Sequence, residues 1–276
     1  ISSSISNSSS FSNIPHINTT STFSSSSSPS SSSSPSISTS SSISSQKLSV
    51  EEVKSILRRA GAVCFDVDST VSMDEGIDVL AEFTGSGQQV AEMTKRAMGG
   101  KMSFEEALNS RLNIIQPSYS TIEACLAAHP PRLTPHISEL IDKLHNRGIL
   151  VYLVSGGFHQ MIRPIADSVG VPFHRIYANN ILFDGPQGRG EYLCFDSQQY
   201  TCRDGGKARV IEHLKKELGV GSVVMIGDGV TDMQARPPAD AFIGYGGIVS
   251  REPVEQGSDW FVKDFKEIIQ ALDFES

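Results

Sequence analysis

Five short apolar runs set the frame for this chain: Ala62–Phe65, Ile149–Val154, Phe173–Ala178, Val223–Ile226 and Ala241–Ile243. Each is too short for a helix and continuous rather than alternating, the pattern of strands buried on both faces. Helical patterns lie between them. Ser49–Arg59 opens with Ser49 and Glu52 at capping-box spacing. Pro135–Arg147 offers Thr134 as cap, Pro135 in the first turn and Gly148 at the end. Lys207–Leu218 is closed by Gly219. The alternation predicts an α/β fold: a Rossmann-like parallel sheet with helices on both sides.

The rhythm breaks in three places. Residues from Glu75 to about Pro131 carry helical pattern without a strand, too long for one crossover, and read as an inserted helical cap. From Ile181 to Phe195, apolar ends flank Asp184-Gly185-Pro186 and Gly188-Arg189-Gly190, the pattern of a hairpin or flap. Residues 1–46 contain no Lys, Arg, Asp or Glu and are dominated by serine. Such a stretch has too little to bury to offset the entropy of ordering its backbone, so it reads as a disordered head and 47–276 as the folded domain. Its serine-rich, acid-free composition suits a plastid-type transit peptide, although the arginines usual in one are missing; the plain alternative is a low-complexity linker on a cytoplasmic protein.

All of the net charge of −8 lies from Lys47 onward. A mildly acidic body lacks the basic stripe that nucleic acid requires. No run approaches the roughly 18 apolar residues of a membrane span, and nothing speaks to self-association. The four cysteines, Cys64, Cys125, Cys194 and Cys202, lack metal-ligand spacing. Cys194 and Cys202 are near enough in sequence to pair, but the body reads as an intracellular enzyme with reduced thiols.

In open α/β sheets ligands sit at the carboxyl ends of strands. There the first run delivers Asp66-Val67-Asp68-Ser69-Thr70, the second Ser155-Gly156-Gly157 and the fourth Gly227-Asp228-Gly229-Val230-Thr231-Asp232; Lys207 follows Gly205-Gly206 at a helix start. Carboxylates repel a phosphate dianion unless a divalent cation intervenes, and Mg2+ prefers such oxygen ligands. Asp66 and Asp228 are natural ligands, Asp68 can add its backbone carbonyl, and Asp232 can support them from behind. Lys207, Ser155 and backbone N–H groups suit the phosphate oxygens. Asp66 is placed to attack phosphorus, and Asp68 to protonate the leaving alkoxide and then activate water. Each element alone is ordinary: a solvated loop, a turn. Their order, each following a strand, makes the set specific.

These residues resemble the four motifs of the haloacid-dehalogenase-like phosphatases. Asp74-Glu75-Gly76-Ile77-Asp78, Arg96-Ala97-Met98-Gly99-Gly100, Ser110-Arg111-Leu112 and Pro237-Pro238-Ala239-Asp240-Ala241-Phe242-Ile243-Gly244 narrow the resemblance to the branch that hydrolyses phosphoserine. It spans the chain from Lys47 to the end. It implies a Rossmann-like core under a helical cap, Asp66 as nucleophile and Asp68 as proton donor. It also implies Mg2+ on Asp66, Asp68 and Asp228. Glu75 and Arg111 would read the amino acid, with Met98, Gly99 and Phe104 lining the pocket and Asn179 and Thr231 near the phosphate. The implied activity is Mg2+-dependent hydrolysis of O-phosphoserine through an aspartyl-phosphate, the last step of the phosphorylated route to serine. Ser197–Arg203 departs from the pattern and touches no motif, so it reads as a free loop.

Several of these residues have plainer readings. Glu75 and Arg111 on their own fit a surface ion pair; phosphoserine, with an ammonium and a carboxylate, gives them partners, and arginine suits a carboxylate. Met98 and Phe104 fit a core equally well. His159 reads as a helix-start residue and Cys64 as core. A different small phosphomonoester would leave Arg111 without a carboxylate to bind. A non-catalytic phospho-receiver would lack both Asp68 and the cap.

Overall fold

The computed structural model describes residues 46–96 and 102–273. The expectations placed on the head through residue 45 and on Met98 and Gly99 lie outside the described residues. In chain order the elements are α1 (Val50–Arg58), β1 (Ala62–Phe65), α2 (Gly76–Phe83), α3 (Gly87–Arg96), α4 (Phe104–Ile115), α5 (Tyr119–Ala128), α6 (Ile137–Asn146), β2 (Leu150–Phe158), α7 (His159–Ser168) and β3 (Ile176–Asn179). They continue as β4 (Ile181–Phe183), β5 (Tyr192–Phe195), α8 (Gly206–Lys216), β6 (Val223–Gly227), the single turn α9 (Val230–Met233), β7 (Ala241–Tyr245), α10 (Glu252–Gly257), β8 (Trp260–Val262) and α11 (Phe265–Asp273).

Six strands form one parallel sheet in the order β3-β2-β1-β6-β7-β8. Strand alternation sorts its side chains. Val63, Phe65, Val151, Leu153, Val224 and Ile226 pack against α1, α6, α7 and α11. Ala62, Cys64, Tyr152, Val154, Val223 and Met225 pack against α8 and α10. Burial on both faces is why these strands read as unbroken apolar runs. Chain order reverses beside β1, with β2 and β3 on one side and β6 to β8 on the other. The crevice at that switch point is where ligands bind in open sheets.

The domain's entry is fixed by polar contacts. Ser49 and Glu52 form the expected capping box. Just ahead of it, Leu48 N–H donates to Oδ1 of buried Asp259 at 3.0 Å, while Phe242 N–H donates to Oδ2 at 2.9 Å and Arg236 pairs at 3.0 Å.

Among the described residues the insertion consists of four helices, α2 to α5, which form a cap. Its apolar cluster includes Leu80, Val90, Leu108, Leu112, Ile122 and Cys125, and it runs on into Phe158 and Met161 of the core domain and Ile181 and Phe183 of the flap. The flap is the antiparallel hairpin β4–β5. Gly190 O accepts from Tyr119 N–H at 3.0 Å, and Arg189 lies 4.6 Å from the Tyr119 ring centroid, so the hairpin is fastened to α5. No helix of the described residues is long and apolar enough to cross a membrane.

Four local expectations need correction. Thr134 does not cap α6: its N–H donates to Val71 O beside an antiparallel bridge between Ser72 and Leu133. His136, at φ 65°, takes the cap position instead. The run Phe173–Ala178 enters its strand only at Ile176, because a 3-10 turn after Pro172 occupies Phe173–Arg175. A sixth strand, β8, joins the five expected ones; Trp260-Phe261-Val262 is too short to stand out as a run. The strand from Leu150 runs through Ser155-Gly156-Gly157 rather than stopping before them.

All four cysteines are free thiols; Cys64, Cys125 and Cys202 are buried and Cys194 is exposed. Burial also pushes the Cys64 thiol well above its ordinary pKa, and only thiolate reacts with alkylating agents. Iodoacetamide on the native protein should therefore label Cys194 alone, with the other three appearing only after denaturation. Peptide mass spectrometry reads this directly, and labelling of Cys202 at the rate of Cys194 would contradict the packing around it.

Candidate active site

Asp66 leaves the end of β1 with its N–H bonded to Ile226 O at 2.9 Å, which ties the first motif to β6. Its Oδ1 accepts from Val67 N–H at 2.7 Å. The chain then coils through a tight turn, Val67–Val71, in which Ser69 adopts φ 55°. That conformation costs a residue with a Cβ. It turns the Ser69 hydroxyl to Oε1 of Glu75, 2.8 Å away. The Asp68 carboxylate accepts from Gly76 N–H at 2.7 Å and from the Ser155 hydroxyl at 3.3 Å.

The second motif is a bulge inside β2. Val154 pairs with Tyr177 and Phe158 with Asn179, so four steps along β2 match two along β3. The surplus lifts Gly156 and Gly157 out of the ladder. Gly157 N–H donates to Ser155 Oγ at 2.9 Å, and Asn179 Nδ2 donates to Gly156 O at 2.8 Å. Asn179 is fully buried; it stands behind the loop rather than in the cavity. Phe104, the first residue of α4, lies in front. A Cβ on Gly156 would meet the Phe104 ring at 2.7 Å, so the cap seats where this glycine has no side chain.

Lys207, in the first turn of α8, is buried with Nζ 2.8 Å from Asp66 Oδ1 and 2.6 Å from Asp232 Oδ1. Burial works against its charge, and the two carboxylates outweigh that and raise its pKa. Asp232 also accepts from Gly229 N–H at 2.9 Å. A Cβ at Gly227 would sit 2.3 Å from the Asp232 carboxyl carbon, so that close approach needs glycine. Asp228 accepts from Arg251 Nε at 2.9 Å and, weakly, from the Thr70 hydroxyl at 3.4 Å.

Oxygens of Asp66, Asp228 and Asp232 lie within 4.8 Å of one another. Asp66 and Asp228 are two of the expected ligands and Asp232, expected behind them, is the third carboxylate; Asp68 reads in the sequence as adding its backbone carbonyl. The Asp68 side chain has turned to Gly76 and Ser155, which leaves only its backbone for a metal. Burial first, then the charge of Asp66, raises the pKa of Asp228 and of Asp232, against the opposing pull of Arg251 and Lys207. Burial, with the charges of Glu75 and Asp66, pushes the Asp68 carboxyl up to about 7. A buried cluster of hard oxygen donors with more negative charge than two cations balance fits a divalent ion such as Mg2+.

Asp66, Asp68, Gly156, Gly157, Lys207 and Asp228 line one cavity of about 510 Å³ at the C-terminal ends of β1, β2 and β6; Ser155, Asn179 and Asp232 are not in its lining. Glu75 and Arg111 face it from the cap. Burial raises the Glu75 pKa, with Ser69 opposing; burial lowers that of Arg111, against Asp78, Glu75 and Asp68. Arg111 Nε donates to Ala107 O at 3.2 Å. Thr231 is at the rim, and Phe104 and Met102 supply apolar wall. His159 opens α7, as expected, and Cys64 is core.

Arg251, Thr201 and Arg203 are among the lining residues that escape sequence reasoning. Arg251 bonds Asp228 and lies 3.9 Å from Glu75; its only signal is a lone basic residue soon after the β7 run. Thr201 and Arg203 also line the cavity, so the segment Ser197–Arg203, which reads as a loop free of the motifs, in fact touches them. Its packing partners are far away in sequence, and nothing local announces them.

The sequence model of the haloacid dehalogenase-like hydrolases matches residues 60–240. The chloroplastic phosphoserine phosphatase of Arabidopsis thaliana is 50% identical over 225 residues, 81% of this chain and 75% of that protein. Phosphoserine phosphatase of Bos taurus is 46% identical over 226 residues, 82% of this chain and 99% of that one. Among solved structures, a phospho-aspartyl intermediate analogue of phosphoserine phosphatase superposes with a TM-score of 0.64 at 26% identity, covering 77% of this chain and 98% of that one. With the motifs at the strand ends, the cap and these likenesses together, the chain belongs to the haloacid dehalogenase-like hydrolases, in their phosphoserine phosphatase family.

Proposed function

We propose that the protein hydrolyses O-phosphoserine to serine and inorganic phosphate, with Asp66 as nucleophile, Asp68 as acid and base, and Mg2+ as cofactor. The observation that carries this reading is the pairing of two walls around one cavity. The core wall brings Asp66, Asp68, Gly156, Gly157, Lys207 and Asp228 to the strand ends, and the cap wall opposes them with a carboxylate, Glu75, and a guanidinium, Arg111. Phosphoserine has a group for each: a dianionic phosphate, an ammonium and a carboxylate. Supply of serine by the phosphorylated route follows from that substrate.

The steps use the chain's own residues. Lys207 and the N–H groups of the Ser155–Gly157 bulge hold phosphate oxygens. An Asp66 oxygen forms a bond to phosphorus as the bond from phosphorus to the serine oxygen breaks, leaving an acyl phosphate on Asp66. Asp68 gives its proton to the departing serine oxygen. It then takes a proton from water, whose oxygen attacks phosphorus, and phosphate leaves as the Asp66 carboxylate is restored. Bound by Asp66, Asp228 and the Asp68 backbone carbonyl, with Asp232 behind them, Mg2+ would neutralise the carboxylates that otherwise repel the dianion.

The serine-rich, acid-free composition of residues 1–46 and the chloroplastic relative support delivery to plastids. The same enzyme in the cytoplasm is the alternative, and a reporter fused to this segment separates the two.

Incubating the protein with phosphoserine and Mg2+ should release inorganic phosphate with many turnovers. Exhaustive chelation should abolish release and added Mg2+ restore it; undiminished release after chelation would remove the metal from the mechanism. Asp68→Asn should depress turnover of phosphoserine far more than that of nitrophenyl phosphate, whose phenolate leaves with less need of a proton. Equal loss on the two would take the acid role from Asp68. Arg111→Ala should cost about 2–5 kcal/mol in kcat/KM for phosphoserine and little for phosphoethanolamine, which has no carboxylate. Equal damage to both would place Arg111 in the fold or on the phosphate.

A further inference from the structure

The turn Tyr200–Cys202 belongs to a segment that reads as a free loop in the sequence, yet it lies against three parts of the site at once. Thr201 is 4% exposed and lines the cavity. Its hydroxyl donates to Asn179 Oδ1 at 3.0 Å, and Asn179 Nδ2 donates onward to Gly156 O at 2.8 Å. The same turn abuts the start of the helix that carries Lys207: a Cβ on Gly206 would meet Tyr200 O at 2.4 Å and Thr201 Cα at 2.7 Å. Just beyond the turn, Arg203 pairs with Glu105 of α4 at 3.2 Å.

We propose that Thr201 is a positioning residue for the phosphate-binding bulge. The reason is the two-ended character of a carboxamide. Asn179 presents an acceptor at one end and a donor at the other. A hydroxyl that donates to its oxygen leaves the NH2 facing the Gly156 carbonyl. Gly156 is in surplus to the sheet ladder, so β3 does not hold its peptide plane. Asn179 holds it from behind, as the Phe104 ring closes it in front. With the carbonyl drawn back toward Asn179, the N–H of the same peptide, that of Gly157, points the opposite way, where it donates to Ser155 Oγ and can turn to a phosphate oxygen in its place. Thr201 touches no reacting atom; it acts through Asn179.

The inference rests on the phosphatase reading, so wild-type hydrolysis of phosphoserine is measured first; its absence would remove that reading, whatever Thr201 does. The variant is Thr201→Val, which keeps the shape, removes the hydroxyl and leaves the buried Asn179 oxygen without its donor. Orthophosphate titrated calorimetrically into the Mg2+-loaded protein should bind about tenfold more weakly to the variant. The KM for phosphoserine should rise by a similar factor. Mg2+ affinity, read in a separate titration, should be unchanged, because no metal-binding carboxylate touches Thr201. Thr201→Ser restores the hydroxyl and should bring phosphate affinity back to within about twofold. Wild-type phosphate binding by Thr201→Val overturns the proposal, as does a serine variant as weak as the valine one. If Thr201→Val and Thr201→Ala both lose Mg2+ binding or the cooperative unfolding transition, Thr201 is a structural residue and the proposal fails equally.

Discussion

The Lys207 ammonium, 2.8 Å from Asp66 and 2.6 Å from Asp232, holds together a site that would otherwise repel itself. Carboxylates this near to one another and this buried cannot all stay ionised on their own. Lys207 reaches them from α8 and Arg251 reaches Asp228 from beyond β7, so cations from two separate segments stabilise acids from two strand ends. The sheet order makes that possible: β1 lies between β2 and β6, so Asp66 and Asp228 emerge side by side at the same end of the sheet. The backbone serves the same end, through the bulge in β2 and the glycine at 227 that admits Asp232.

Asp68 shows how a carboxylate two residues from Asp66 is assigned a different environment. The tight turn that follows β1 directs it to Gly76 and Ser155, so that it stands outside the trio of Asp66, Asp228 and Asp232. Burial and neighbouring charge then favour its protonated form, while Asp66 lies against an ammonium. Two acids in one short motif thus stand in two different environments, which is what the proposed division of roles between them asks for.

Much of this is legible in the sequence, for reasons that can be named. Strands buried on both faces print themselves as apolar runs, and the residues after them print the motifs, so the order of residues alone places Asp66, Asp68, Lys207, Asp228 and Asp232 at one crevice. The cap is visible as an interval too long for one crossover. What stays hidden depends on contacts distant in the chain. Arg251 meets Asp228 across 23 residues, and Thr201 meets Asn179 across 22; neither has a local signature. Thr134 has the residue type of a helix cap but is drawn into a bridge with the chain near Ser72, a tertiary event that overrides capping preference. β8 is three residues long and reads as strand only beside β7.

The apolar cluster under the cap has a consequence for motion. Phe158 and Met161 belong to the core domain, yet they are buried among Leu108, Leu112 and Ile122 of the cap. Swinging the cap away as a rigid body would bring these side chains into water, at about 1.5–3 kcal/mol for each one fully exposed. Along that side the cap is a fixed wall. Among the described residues the start of α4 is held by lighter means: the Phe104 ring against a glycine and one half-exposed pair, Arg203 with Glu105. Among the described residues, parting the two halves at the start of α4 therefore disturbs less apolar surface than parting them at Phe158 and Met161, and opening the cavity at that corner costs less than swinging the cap as a whole.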